Sequence, residues 1–194
     1  MIVAKSNLEV AIKASLHAGK EIIRIYNDTK ADLELELKTD DSPLTVADRN
    51  ANEVILSYLS QTSLPVLSEE GGEIPYEVRK DWALFWMVDP LDGTKDFLRR
   101  NGEFTVNIAL ISNREPVLGV IYIPDRQVLY FAEKGSGAFK ITDVVWDDAV
   151  DWNKLLLRAV KLPLPMYREG VIVASSRSYV NVHVAAFVDN LREQ

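Results

Sequence analysis

Phe85-Trp86-Met87-Val88-Asp89-Pro90-Leu91-Asp92-Gly93-Thr94-Lys95-Asp96-Phe97 carries an apolar run into two carboxylates three residues apart. Ala83 to Val88 has the aromatic and β-branched content of a short buried strand, and turn residues follow at once. Asp89 is therefore expected at the carboxyl end of that strand. Pro90 fixes φ and lacks a backbone N–H, so the chain bends and the Leu91 carbonyl can turn away from the ladder toward a cation. Gly93 permits backbone conformations closed to other residues. Asp89, the Leu91 carbonyl and Asp92 thus offer three hard oxygen donors within four residues, a set that suits Mg²⁺ far better than a soft metal. Thr94 adds a hydroxyl, and a helix beginning here would aim the Gly93 and Thr94 N–H groups at a phosphate oxygen. The competing account is a plain turn, since Asp-Pro and Asp-Gly are common turn formers.

Two other segments bear on that choice. Ser68-Glu69-Glu70-Gly71-Gly72 follows the apolar Leu64-Pro65-Val66-Leu67 and places another acidic pair after another expected strand. Adjacent carboxylates repel, so they are either solvated or stabilised by a cation. Ser42-Pro43-Leu44-Thr45-Val46-Ala47-Asp48 opens a helical pattern that runs to about Gln61. Asp48 falls in its first turn, where the helix dipole alone would favour a carboxylate.

Taken together, Pro-Leu-Thr-x-Ala-Asp at 43–48, Ser-Glu-Glu at 68–70 and Trp-x-Val-Asp-Pro-Leu-Asp-Gly-Thr-Lys-Asp-Phe at 86–97 resemble the inositol monophosphatase superfamily of Mg²⁺-dependent, lithium-sensitive phosphatases. Within it the chain looks most like the bacterial 3′(2′),5′-bisphosphate nucleotidases. That narrowing rests on Thr94-Lys95-Asp96-Phe97, where inositol phosphatases usually carry Thr-Thr-Asn-Phe, and on the segments 101–111, 116–122 and 174–178. The resemblance covers nearly the whole chain, with Ile141 to Glu169 matching poorly.

The resemblance implies an α+β protein with the layered αβαβα inositol-monophosphatase fold, with a small phosphorylated nucleotide as substrate and a role in sulfur assimilation; the cytoplasm is the default location expected from the N-terminal pattern and the lack of a bilayer-spanning run. The resemblance implies also that Glu69, Asp89 and the Leu91 carbonyl hold one Mg²⁺ and that Asp89 and Asp92 hold a second. Water oriented by Thr94 with Asp48, and by Glu69, would attack phosphorus in line. Glu69, Leu91, Asp92, Gly93 and Thr94 would also meet the substrate, and Glu70 would support its neighbour. The family's remaining ligand is the Asp of a Trp-Asp-x-Ala-Ala-Gly motif. Trp146-Asp147-Asp148-Ala149-Val150 imitates it but comes too early and lacks the Ala-Gly, so a solvated acidic loop is the better account. The second α/β domain is therefore expected to be incomplete and activity weak. The division expected is an N-terminal phosphatase domain over 1–160 and the start of a C-terminal domain over 161–194. The rivals are an inositol or sugar phosphate phosphatase, and a non-catalytic metal-binding domain.

Composition agrees. A chain of 194 residues with 47% hydrophobic content can bury a core, and its net charge of −7 argues against an electrostatic nucleic-acid binder. Cysteine is absent, so disulfides and thiolate metal sites are excluded. Met1 to Tyr26 reads as an amphipathic helix rather than a signal peptide, and no apolar run is long enough to span a bilayer. Periodicity places helices at about 5–26 and 45–61 and a strand at Leu33-Glu34-Leu35-Glu36-Leu37-Lys38. Apolar runs at 84–88, 104–111, 117–123 and 127–132, separated by turn signals, predict a mainly antiparallel sheet with helices on one face. Beyond Gly137, a helix over Leu155 to Val160, a linker at Leu162-Pro163-Leu164-Pro165, a strand over Val171 to Ala174 and a helix from Tyr179 to about Arg192 are expected. Lys38 and Lys95 either approach substrate phosphate or simply face solvent, and the second reading is preferred. His17 and His183 have no partner at ligand spacing and read as helix-face residues.

Overall fold

A computed structural model describes residues 6–28, 36–37, 43–146, 151–164, 173 and 182–192. The chain forms two compact units, Met1–Pro163 and Leu164–Gln194. In the first, helix α1 (Asn7–Asn27) is capped by Ser6, whose hydroxyl accepts from Glu9 N at 3.2 Å, and Glu9 pairs with Lys13 one turn on. Short strands β1 (Glu36–Leu37) and β2 (Pro43–Leu44) pair antiparallel and lead into α2 (Val46–Leu59). Of the strand expected over 33–38, only Glu36 and Leu37 lie within the described residues.

The main sheet holds seven strands in the order β3 (Val66–Ser68), β4 (Leu84–Asp92), β5 (Thr105–Ser112), β6 (Glu115–Ile123), β7 (Val128–Glu133), β8 (Gly137–Ile141) and β9 (Val160–Lys161). Only β3–β4 is parallel; every other neighbour is antiparallel and joined in sequence order. From Thr105 to Leu110 of β5, Val106, Ile108 and Leu110 are buried and Thr105, Asn107 and Ala109 half-buried; the alternation breaks at Ile111, buried next to Leu110 where the pairing with β6 is irregular. The period of two is what one covered face imposes. α1 and α2 pack on each other and against β4, β5 and β6, so the core lies between one helix layer and the sheet. The architecture is α+β, as the sequence implies.

Several expectations need correction. The strand from Leu84 does not end at Val88: β4 runs to Asp92, because its pairing with β5 resumes after an irregularity between Asp89 and Asp92. A one-turn helix, α3 (Tyr76–Arg79), was not foreseen, nor was β8, which is short and interrupted by glycine and lysine. The helix predicted over 155–160 is α5 (Trp152–Leu157), started earlier by Asp151, whose carboxylate accepts from the N–H groups of Asn153 and Lys154. Val160 belongs instead to edge strand β9. In the second unit α6 spans Val182–Arg192, within the helix expected from Tyr179, whose first three residues lie outside the described residues; of the strand expected over 171–174, all but Val173 lies outside them as well. Among the described residues no helix is long and apolar enough to cross a membrane.

One contact fixes how closely α1 lies on the sheet. Gly19 is buried in mid-helix, and a Cβ there would sit 2.3 Å from Tyr122 Cε1. Tyr122 cannot readily yield, since its hydroxyl donates to Val144 O at 2.7 Å. Gly19→Ala gains about 1 kcal/mol of helix propensity but forces an overpacked contact costing about 1–3 kcal/mol. We expect the variant to lose up to about 2 kcal/mol net in urea unfolding; a raised midpoint would mean that Tyr122 moves aside.

Candidate metal and phosphate site

The carboxylates meet because β4 is irregular. In a regular strand, residues separated by an odd number point to opposite faces, so Asp89 and Asp92 should be divided. Here Asp89 pairs with Asn107 and Asp92 with Thr105, so an advance of three residues on β4 matches two on β5. The extra residue is a β-bulge, and it returns Asp92 to the face of Asp89. Pro90, which has no N–H to lose from the ladder, occupies the irregularity, and Asp89 Oδ1 closes it by accepting from Leu91 N at 3.2 Å.

Glu69 arrives from the parallel neighbour. Its N–H continues the ladder beyond β3, donating to Val88 O at 2.9 Å. The Ser68–Glu70 turn is held from α2 by a ring of hydrogen bonds. Ser68 Oγ donates to Asn52 Oδ1 at 2.7 Å, Asn52 Nδ2 to Glu70 O at 3.4 Å, and Glu70 N to Ser68 Oγ at 3.3 Å. Asn52 is 7% exposed and has a partner at both ends. It is a residue that sequence reasoning missed; the only signal was its place one turn after Asp48 on the same helix.

Asp48 is 1% exposed. Oδ2 accepts from Thr45 N at 2.8 Å and Thr45 Oγ1 at 2.5 Å, so part of its work is to cap α2, as the dipole argument anticipates. Oδ1 accepts from Thr94 Oγ1 at 3.0 Å, 46 residues away in sequence. Burial raises its carboxyl above the usual range, and the three side-chain and backbone donors act against that rise. Thr94 Oγ1 also lies 3.2 Å from Leu91 O. Gly93 turns the chain between them with φ 95°, and a Cβ there would come within 2.8 Å of Glu103 O. α4 (Thr94–Leu98) then begins, fixed by Phe97, whose ring packs at 5.3 Å from Tyr26 and 5.4 Å from Phe104.

The donor set can be tested against Mg²⁺ by its electrostatics. The Asp89 carboxyl is pushed up to about 7, first by burial and then by repulsion from Glu69 and Asp92, against the Leu91 N–H bond that lowers it. Two acidic groups thus repel one half-buried carboxyl, which a divalent cation would relieve. Among the described residues no three His, Cys, Asp or Glu side chains converge on one metal position. Glu69 and Asp92 thus act on Asp89 without the three side chains closing on one point, and the Leu91 carbonyl is a further oxygen donor of the set. Hard, all-oxygen and mutually repelling, these residues fit Mg²⁺.

The structure therefore brings Asp48, Glu69, Asp89, Leu91, Asp92, Gly93 and Thr94 into one region. Glu70 contributes its backbone to the Asn52 ring, and Lys95 is exposed on α4. His17 lies on α1, stacked on Trp146 at 4.8 Å and edge-on to Tyr58, consistent with a helix-face role; His183 lies on α6. Lys38 and Asp147 lie outside the described residues.

The chain is 40% identical over 189 residues to the 3′(2′),5′-bisphosphate nucleotidase CysQ of Salmonella typhimurium, covering 96% of this chain and 70% of that protein. The crystal structure of CysQ from Bacteroides thetaiotaomicron, a bacterial member of the inositol monophosphatase family, superposes with a TM-score of 0.85 at 45% identity, over all of this chain and 70% of that one. The extragenic suppressor protein SuhB of Bartonella henselae matches with a TM-score of 0.60 at 38% identity, over 70% of this chain and 51% of its own. Residues 4–178 match the profile of the inositol monophosphatase family, and the chain belongs to that family.

Proposed function

We propose that this protein is a Mg²⁺-dependent 3′(2′),5′-bisphosphate nucleotidase that removes the 3′-phosphate of adenosine 3′,5′-bisphosphate, leaving AMP and phosphate. The observation that carries the reading is the electrostatic pressure of Glu69 and Asp92 on the half-buried Asp89, on the chain segment that also carries the Thr94–Asp48 hydrogen bond. The likeness to CysQ relatives along nearly the whole chain supports the choice of substrate.

In this reading Glu69, Asp89, the Leu91 carbonyl and Asp92 hold two Mg²⁺ ions. When bound, Mg²⁺ acidifies the attacking water and offsets the charge that develops on phosphorus. The chain's own residues aim that water. Asp48, held by Thr45, draws the Thr94 hydroxyl hydrogen toward itself. Thr94 then has only lone pairs to offer, so a water beside it must donate to Thr94 and turn its own lone pair outward. Glu69 stands across the site as a second acceptor for that water. Gly93 brings the backbone close enough for phosphate to meet main-chain N–H groups at the start of α4. No covalent enzyme intermediate is required.

The proposal extends to inhibition by Li⁺ and to a role in sulfur assimilation, both implied by the resemblance. It extends also to a cytoplasmic location. Residues 1–160 are proposed as the metal-binding phosphatase domain and 161–194 as part of an α/β C-terminal domain. Membership of the inositol monophosphatase family favours a second reading, hydrolysis of inositol or sugar phosphate monoesters by the same site.

Phosphate release from adenosine 3′,5′-bisphosphate and from inositol 1-phosphate separates the two. A higher kcat/KM for the nucleotide is expected, and the reverse order would move the protein to the second reading. Thr94→Val should lower kcat by about a hundredfold with little change in KM, because the hydroxyl positions water rather than substrate. Equal loss through KM alone would remove Thr94 from that role.

Asp89→Asn is expected to move stability and Mg²⁺ binding in opposite directions. A carboxyl raised to about 7 in the folded protein favours folding at pH below 3.8, and that contribution is lost as pH rises through about 7. At pH 8 the metal-free Asn variant should therefore be more stable than the parent, by about 1–2 kcal/mol once solvent screening is allowed for. Calorimetric titration should find its Mg²⁺ affinity greatly reduced. In the parent, that affinity should rise about tenfold per pH unit below about 7 and flatten above it, as one proton is displaced. Unchanged Mg²⁺ affinity in Asp89→Asn would remove Asp89 from the site.

A further inference from the structure

Asp92 ends β4 on the face that carries Asp89 and lies opposite Thr105 of β5. It is exposed, and a carboxylate's last torsion has a broad profile, so nothing in the strand itself sets the plane of its two oxygens. Two side chains of β5 do. Asn107 Nδ2 donates to Asp92 Oδ2 at 3.2 Å, and Thr105 Oγ1 donates to Asn107 Oδ1 at 3.1 Å. The direction of this chain follows from its chemistry. An ionised carboxylate only accepts, so the amide must turn its NH₂ group toward Asp92, which leaves its oxygen to the Thr105 hydroxyl. The core needs neither residue: Thr105 and Asn107 alternate along β5 with buried Val106 and Ile108. With Oδ2 engaged by the amide, Asp92 Oδ1 is left for a cation.

We propose that Asn107 is a positioning residue that orients the Asp92 carboxylate for cation binding, with Thr105 fixing Asn107 in turn. The inference rests on the reading of Asp92 as a Mg²⁺ ligand and goes beyond it by giving β5 a part in the site. Its cause is the bulge in β4. The register that brings Asp92 back to the face of Asp89 also brings it beside the alternate pair Thr105 and Asn107. Partners that orient metal ligands in this way typically change affinity by about 10–100-fold when removed.

The test is calorimetric titration of the full chain with Mg²⁺, without substrate, for the parent, Asn107→Ala, Thr105→Val and the double variant. Asn107→Ala should weaken Mg²⁺ binding about tenfold, and Thr105→Val by less. The double variant should be no worse than Asn107→Ala alone, because Thr105 acts only through Asn107. Thermal midpoints should stay near the parent's, which a merely structural pair would not allow. Should Asn107→Ala fold poorly, Asn107→Leu keeps the volume and must show the same loss of affinity. Unchanged affinity in a folded Asn107 variant, or losses that simply add, would overturn the proposal and leave the Mg²⁺ reading standing. A parent that takes up no Mg²⁺ would overturn both.

Discussion

One extra residue in β4 is the constraint on which the site depends. Without the bulge between Asp89 and Asp92, the strand's period of two would send Asp92 into the apolar layer beneath α1 and α2. That layer can hold a carboxylate only at heavy cost, as Asp48 illustrates: it needs three donors at once to remain there. The bulge avoids the conflict by turning Leu91 inward instead, where it is 3% exposed, and Asp92 outward. Pro90 makes the irregularity tolerable because it has no ladder hydrogen bond to forfeit. Proline, bulge and acid spacing are thus one device.

The same device places like charges together, and the fold carries that repulsion. Asp89 is raised to about 7 by burial and by Glu69 and Asp92. Such a cluster opposes folding at neutral pH, so the surrounding sheet must hold it. It does so with the longest strands among the described residues: β4, β5 and β6 pair along most of their length, and Trp86 anchors the middle of β4, fully buried with Nε1 donating to Thr62 Oγ1 at 2.9 Å. Repulsion held by a rigid frame is what gives a cation site its affinity, since binding then relieves strain that the apo protein cannot relax.

How much of this was legible in the sequence depended on range. Local chemistry could be read: the place of Asp48 in the first turn of α2, the turn chemistry of 89–94 and the apolar runs of β5 and β6 follow from neighbours in the chain. The end of β4 was misjudged because Pro90 usually stops a strand, and only pairing with β5 shows that the ladder resumes beyond it. β8 went unread because Gly137, Ala138 and Lys140 have little strand propensity, and its pairing with β7 supplies the missing stabilisation. Asp48 was placed correctly in the first turn of α2, yet its bond to Thr94 spans 46 residues and no periodicity announces it. Asn52, Thr105 and Asn107 were unreadable for the same reason. Each is an ordinary polar residue whose role appears only when a distant element comes alongside.

α2 shows how few elements are needed to bring the separate segments into register. Asp48 and Asn52 are one helical turn apart and so share a face. The first reaches back to Thr45 and across to Thr94 after β4; the second holds the Ser68–Glu70 turn after β3. One rigid helix therefore ties the ends of two adjacent parallel strands, the places from which Glu69 and Asp89 project. A small rotation of α2 about its axis would move both bonds together, so the relative placement of these carboxylates is governed by how α2 seats on the sheet. That seating is apolar: Ala47, Ala51, Ile55 and Leu59 are all fully buried on the helix that carries the two polar contacts. The apolar stripe sets the depth and rotation of the helix, and the polar pair converts that rotation into the spacing of the acids.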